Sequence, residues 1–497
     1  MTEAKPARID GDELFRRLRD IYQTDFWEPR YRSRYIHEVF TALLDYVVKD
    51  SRPYSRLPPK VLAIANRFFT QRLVPTFARA KSSFSTQTQL RDRNLKGRIL
   101  AVLPYSIFDP VHGGQFRAHD IYTSLSKYFE IIALSLQSGP IASQITPNLE
   151  NICYSASQQQ INEQRVLAEQ IGALSYPIAI IRNFWNSKEF VRQFEKLYPI
   201  ADVVIFSHPY LFQLSNRMRR NQIVIYDSTD VEYDLFKTLL RGSSNGRPAQ
   251  ILRLITSVEA EACKKSDRIF VTSKPHAKRL TSIYGTPTTK ITIVPNPIDK
   301  IQNGVNSIER ENRKSQLGLH DRPLILYLAS WHPPHVQSLQ FLLNKLAPQH
   351  PEWSFLILGT VANEICKPYM KDRLPQNIIA YTHPTINEKA EIYKAVDVAI
   401  DPATYGSGTE IKILVYMAAG LPIVSTRVGV RGLKVRHREH VIIAERAAFG
   451  KAIAILLNNE VLREKIRANA LEFVSKYRST EIATRLAEVL SNEMRLR

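Results

Sequence analysis

From Arg98 onward, short apolar runs alternate with longer segments whose apolar residues recur at helical spacing. The runs Ile99–Pro104, Ile131–Leu136, Val203–Ser207, Ile223–Asp227, Ile269–Thr272 and Ile291–Val294 are rich in aliphatic and β-branched residues and nearly free of charge. Such runs suit strands buried on both faces of a parallel sheet, and the helical segments between them complete βαβ units. They predict one Rossmann-like domain. A polar stretch from Asn296 to Pro323 interrupts the pattern, which then resumes with Leu324–Leu328, Phe355–Gly359, Ile378–Tyr381, Val398–Ile400 and Pro422–Thr426. A second α/β domain follows from these. The last residues place Ile482, Leu486, Val489 and Leu490 on one helical face, which suits a helix that crosses back onto the first domain.

Before Arg98 the texture differs. Helical segments are separated by Pro53, Pro58–Pro59 and Pro75 and end in a Ser/Thr/Gln-rich stretch, Ser82–Thr88, the composition of a linker. The expected organisation is a helical accessory extension over 1–95, a first Rossmann-like domain over 96–300, a second over 301–480 and a returning helix over 481–497. At 497 residues the chain exceeds one ordinary hydrophobic core, in keeping with this division.

Composition narrows the partners. The 68 Lys+Arg against 47 Asp+Glu leave a net charge of +21, which favours an anionic partner: nucleic acid, an acidic membrane surface or phosphorylated small molecules. No lysine-rich block, aromatic-basic motif or helix-turn-helix spacing supports nucleic acid. Cys153, Cys263 and Cys366 are too scattered for a zinc site or a disulfide framework. No signal-peptide pattern opens the chain, and no run reaches the ~18 apolar residues that span a bilayer. The expectation is a cytoplasmic protein, at most peripheral at the inner membrane surface. The apolar stretch Tyr176–Trp185 is too short to span; packing on the sheet is favoured over lying on a membrane.

The most informative chemistry follows the strand Val398–Ile400. It exits through Asp401–Tyr405 into Gly406-Ser407-Gly408-Thr409, and a helix then runs to about Ala419, stopped by Gly420 and Pro422. Strand exits in open α/β sheets collect ligands, and helix N-termini present amide groups to anions. Gly406 and Gly408 let the backbone approach a diphosphate, Ser407 or Thr409 can cap the helix, and Lys412 lies in its first turn. In the first domain, Gly113–Gly114 follow the first strand and His208 follows the third. A tight turn explains two glycines equally well, and a histidine at a strand end is more often structural than catalytic.

These segments resemble glycosyltransferase family 4. The match is carried by Gly406–Thr409, Lys412-Ile413-Leu414, Met417–Thr426 and Gly429–Leu433, and upstream by Leu328–Val336 and Tyr393–Pro402. In the first domain Gly113–Gly114, Asp227–Glu232, Ser266–Ser273 and Pro295–Asp299 occur in the family's order. The resemblance covers about residues 98–480 and implies an α/β, GT-B architecture: two Rossmann-like domains facing across a cleft. It implies transfer of a hexose-type sugar from a nucleotide-diphosphate donor to a glycan or lipid-linked acceptor, with retention, without cofactor or metal. His208 matches a family position facing the donor sugar; Gly113, Gly114, Gly406, Ser407, Gly408, Thr409 and Lys412 are the expected donor-binding residues. An anionic membrane surface is a further expected partner.

The chain also departs from the family. Two glutamates eight positions apart, the second gripping the nucleotide ribose, are usual there; here the positions read Ser407 and Val415. Loss of that bidentate contact is worth about 1–3 kcal/mol of donor affinity. The basic pair usual after the first strand of the second domain is replaced by Trp331, His332 and His335. Lys412 and the helix dipole are left as the main phosphate partners, with Arg427 or Arg431 as helpers. A catalytically degenerate GT-B protein acting as a binding or scaffold partner is the alternative.

Overall fold

In a computed structural model, the apolar runs form the centres of two parallel-rich sheets. The structure describes residues 95–496 apart from 109, 111, 138–140, 172–174, 219–220, 241–247, 299–306, 317–321, 366–373, 383–385 and 407. The extension expected over 1–95, Cys366 and Ser407 therefore lie outside the described residues, except for Leu95 itself.

The first sheet contains β1 (Arg98–Leu103), β2 (Glu130–Gln137), β3 (Ile141–Thr146), β4 (Leu149–Ser155), β5 (Val203–Ser207), β6 (Ile223–Ser228), β7 (Arg268–Val271) and β8 (Ile291–Ile293), in the order β3-β4-β2-β1-β5-β6-β7-β8. Only the β3–β4 pair is antiparallel. The second sheet contains β9 (Leu324–Leu328), β10 (Ser354–Leu358), β11 (Ile378–Tyr381), β12 (Val398–Asp401), β13 (Ile423–Ser425) and β14 (Ile442–Ile443), in the order β11-β10-β9-β12-β13-β14 and parallel throughout. Strand order reverses between β1 and β5 in one sheet and between β9 and β12 in the other. At such switch points adjacent connections leave in opposite directions and open a crevice at the strands' carboxyl ends. The loops after these four strands carry Gly113–Gly114, His208, Trp331–His335 and Gly406–Thr409.

The sequence pattern does not announce the hairpin β3–β4, because Gln144 on the edge strand β3 and Glu150 and Asn151 on β4 break the apolar run. β14 is two residues long and gives no pattern. The helix after β1 is α1 (Gly113–Leu125), and it starts on the glycine pair itself: His112 accepts from the Gln115 amide while Gln115 reaches back to the His112 amide, a reciprocal cap. Histidine is an uncommon cap, so the start was hidden.

The segment Tyr176–Trp185 forms the helix α2 (Ser175–Asn183) and a following turn, and buries Ile178, Ile180, Ile181 and Phe184 in the core against Leu134, Val204 and Phe206 of the sheet. At the other end of the chain, α9 (Ser479–Arg495) buries Ile482, Ala483, Leu486, Ala487 and Leu490 with Ile99, Ala101 and Ile121 of the first domain. The chain crosses between domains twice at one place: Ile298 donates its amide to Tyr477 and accepts from Ser479. Among the described residues no helix is long and apolar enough to cross a membrane.

Candidate active site

The loop after β12 turns on two glycines with left-handed backbone, Gly406 (φ 149°) and Gly408 (φ 65°). Side chains also crowd both positions. A Cβ on Gly406 would stand 2.6 Å from a terminal nitrogen of Arg431, and one on Gly408 would collide with the Asp230 carboxylate of the first domain. The helix that follows is α8 (Ile411–Ala418). Thr409 does not cap it: Glu410 takes the cap position without a side-chain capping bond, and the Thr409 hydroxyl is buried without a partner. The amides of the first turn of α8 therefore lack the side-chain acceptor that usually closes a helix.

Beneath this loop lies a buried charge cluster. Lys412 Nζ sits 3.3 Å from Asp401 Oδ1 and 3.7 Å from Glu410 Oε1, and 5.0 Å above the Tyr327 ring. Glu410 also meets Arg431 at 3.1 Å and His335 Nε2 at 3.3 Å. Burial works against the charge on Lys412, but Asp401 and Glu410 overcome it and hold the ammonium above its ordinary value. Burial likewise opposes the charge on Glu410; Lys412, His335 and Arg431 reverse this and hold the carboxyl well below its usual range. Asp401, wholly buried, is raised by burial despite Lys412. Lys412 thus faces inward, under the glycine loop, already flanked by two carboxylates. Arg431 is the more open cation, its guanidinium lying against Gly406 with 23% of the side chain exposed.

The positions that depart from the family pattern are accounted for locally. Val415 is half-buried against the core of the second domain, as the spacing of Ile411, Leu414, Val415 and Ala418 suggests. In the loop after β9, His335 donates Nδ1–H to the Ser330 carbonyl at 2.8 Å, and Trp331 donates to Glu364 at 2.7 Å. Burial and the neighbouring His335 push His332 down to about 4, so it is neutral at pH 7. This loop carries no lysine or arginine.

The opposite wall belongs to the first domain. Gly113 is so close to α8 that a Cβ there would stand 3.2 Å from Ile411 Cδ1, and a Cβ on Gly114 would stand 2.6 Å from the Tyr105 hydroxyl. His208 has φ 64° and ψ 159°, a region almost reserved for glycine that costs of order 1–3 kcal/mol and clusters at functional sites. Its ring is held on all sides: Nδ1 is 2.9 Å from Glu232, Nε2 is 3.0 Å from the Tyr105 hydroxyl, and Tyr210 stacks on it at 5.0 Å. Burial lowers the His208 pKa, but the hydrogen bond and charge of Glu232, with Asp230 and Asp227, leave it above the ordinary value.

Glu232 is held in turn by Glu259. That carboxylate accepts the amides of Glu232 (2.9 Å) and Tyr233 (3.0 Å) and the hydroxyls of Tyr284 (2.6 Å) and Tyr226 (3.2 Å), closing the N-terminus of the helix Glu232–Leu239. Burial, then the charge of Glu232, push Glu259 up to about 7. A carboxyl with a raised folded pKa keeps its proton in the fold while the unfolded chain releases it, so its stabilising share is full below about 4.5 and is lost as pH rises through about 7. His208 adds a loss of the same sign above 6.5. Between about pH 4.5 and about 6.5, however, burial holds His112 and His332 down to about 4 and His276 down to about 3, so the unfolded chain binds protons there that the fold does not, and these histidines outweigh Glu259. Unfolding midpoints in this window are expected to rise with pH, and Glu259→Gln is expected to steepen the rise by removing the opposing share; an unchanged slope in that variant would remove Glu259 from the balance.

Tyr105, Glu232, Glu259, Arg117 and Asn296 were not legible as site residues. Each is a polar residue buried at or behind a strand exit, a property that sequence position suggests only for Asn296, set between two prolines, and Glu232, five residues past a strand-closing aspartate. Among the described residues no group of three or more His, Cys, Asp or Glu side chains is arranged to hold a metal ion.

Residues 152–301 match the model for Glycosyltransferase Family 4, and residues 322–459 match the model for Glycosyl transferases group 1. Two sheets switching at facing loops, with these matches over more than half of the chain, define a GT-B glycosyltransferase. The chain belongs to glycosyltransferase family 4. Among solved structures it is similar to sucrose-phosphate synthase of Thermosynechococcus elongatus (15% identity, 80% of this chain and 100% of that one, TM-score 0.62). It is likewise similar to HepE of Anabaena in complex with UDP-glucose (13%, 80% and 100%, 0.58) and to WaaG, a glycosyltransferase involved in lipopolysaccharide biosynthesis (15%, 79% and 99%, 0.55). At these identities the likeness is one of fold. No curated protein sequence matches the chain.

Proposed function

We propose that the protein transfers a hexose-type sugar from a nucleotide-diphosphate donor to a glycan or lipid-linked acceptor, with retention of anomeric configuration and without a metal or cofactor. The observation that carries this reading is the uncapped first turn of α8, entered through Gly406 and Gly408 at the switch point of the second sheet and faced by Gly113–Gly114. Backbone amides at a helix N-terminus bind a diphosphate without needing a basic pair. Developing charge on the leaving diphosphate is stabilised by these amides and by Arg431, with Lys412 acting from below by balancing Asp401 and Glu410. His208, fixed in a strained backbone by Glu232 and Tyr105, orients the donor sugar, and the acceptor approaches on the sugar face that the diphosphate leaves. The similarity to HepE, solved with UDP-glucose, makes a uridine diphosphate sugar the first donor to try.

Nucleotide release from a panel of UDP-, GDP- and ADP-sugars, with and without glycan and lipid-phosphate acceptors, tests the reading. Turnover of at least one donor is expected. Saturable nucleotide binding with no turnover across the panel favours the second reading, a binding or scaffold protein that retains the fold, which the half-buried Val415 in the ribose-binding position supports.

A further inference from the structure

Asn296 lies three residues beyond β8, where the chain leaves the first domain, and is 4% exposed. Its amide is polarised in one direction. Arg117 NH1 donates to Asn296 Oδ1 at 3.0 Å, and Asn296 Nδ2 donates to the Thr409 carbonyl at 3.2 Å. A guanidinium can only donate and a carbonyl can only accept, so the two partners leave the amide one orientation. Arg117 is itself fixed: it is 2% exposed, donates to the Val294 carbonyl at 3.0 Å and pairs with Asp227 at 3.0 Å. It sits one turn into α1, the helix that begins with Gly113–Gly114.

Thr409 precedes the cap residue of α8, so its carbonyl lies outside the helix ladder and takes its hydrogen bond from the other domain. Two further approaches cross the cleft beside it: Gly113 toward Ile411, and Asp230 toward Gly408. Both are steric. The Asn296 bond is directional, and it ends on the loop whose backbone angles set the donor-binding amides.

We infer that Asn296 is a positioning residue: through the buried chain Asp227–Arg117–Asn296–Thr409 it latches the glycine loop of the second domain to the helix carrying Gly113–Gly114. The loop's shape and the closure of the cleft are thereby coupled, the arrangement expected where binding and domain closure proceed together. The latch itself stands on geometry alone; its effect on donor binding rests on the function proposed above.

The two parts separate experimentally in Asn296→Asp and Asn296→Ala. Aspartate keeps an oxygen for Arg117 but replaces the donor to Thr409 with a second acceptor and adds a buried charge beside the Arg117–Asp227 pair; alanine loses both hydrogen bonds without adding charge. Amide hydrogen exchange over residues 406–412 of the ligand-free protein is expected to rise roughly ten-fold in both variants. Titration with UDP, GDP and ADP is expected to show roughly ten-fold weaker binding in both. Unchanged exchange over 406–412 in both variants overturns the latch, whatever the nucleotide result. Raised exchange with undiminished affinity overturns its coupling to the donor site. Raised exchange in a protein whose wild type binds none of the three nucleotides leaves the latch standing and removes the donor reading instead.

Discussion

Lys412→Met is expected to destabilise the protein by about 3–5 kcal/mol, because it leaves buried carboxylates without their cation. The Lys412 side chain is 5% exposed and Asp401 0%, so water does not replace the lost ammonium. Asp401 has only one of its oxygens hydrogen-bonded; Oδ2 is buried without a partner. Arg431 and His335 still serve Glu410 but neither is paired with Asp401. Denaturant unfolding of Lys412→Met and of Asp401→Asn/Lys412→Met measures the effect, and the double variant is expected to recover part of the loss because it removes the orphaned charge with its partner. If Lys412→Met leaves stability unchanged and only weakens donor binding, the ammonium faces the ligand and the inward geometry is wrong.

His208→Ala is expected to lower sugar transfer about 100- to 1,000-fold with little change in donor KM, the loss seen when one oriented group acting in the transition state is removed. The reason is the backbone: a non-glycine residue held at φ 64° and ψ 159° persists only where its surroundings over-determine it. Glu232, Tyr105 and Tyr210 do so here. His208→Gly, which relieves the strain but also removes the imidazole, is expected under the proposed role to be as inactive as alanine. Near-wild-type kcat in either variant would return His208 to a structural role.

The parallel cores were legible in the sequence because strands buried on both faces must be continuously apolar, and Ile99–Leu103, Val203–Phe206 and Leu324–Tyr327 are. The glycine loop was legible because its strand, its turn and its helix each leave a local mark. The charge cluster was not. Lys412 reads as a first-turn lysine pointing to a phosphate, and only the fold brings Asp401, eleven residues earlier, and His335, seventy-seven earlier, to the same buried volume. Thr409 reads as a cap, yet the cap position falls on Glu410, and the Thr409 carbonyl takes its hydrogen bond from Asn296 of the other domain. Long-range partners of this kind leave no periodic trace.

In the proposed function the loop from Gly406 to Thr409 and the first turn of α8 bind a nucleotide diphosphate. Isothermal titration of the wild-type protein and of Gly408→Val with UDP, GDP and ADP tests it most directly. Valine at 408 must adopt a left-handed backbone and drive its Cβ into the Asp230 carboxylate, which deforms the loop while leaving the cores of both domains untouched. Saturable binding of at least one nucleotide with Kd below about 1 mM, abolished in Gly408→Val, is the predicted result. No binding of any of the three, or equal binding by the wild type and Gly408→Val, would contradict it.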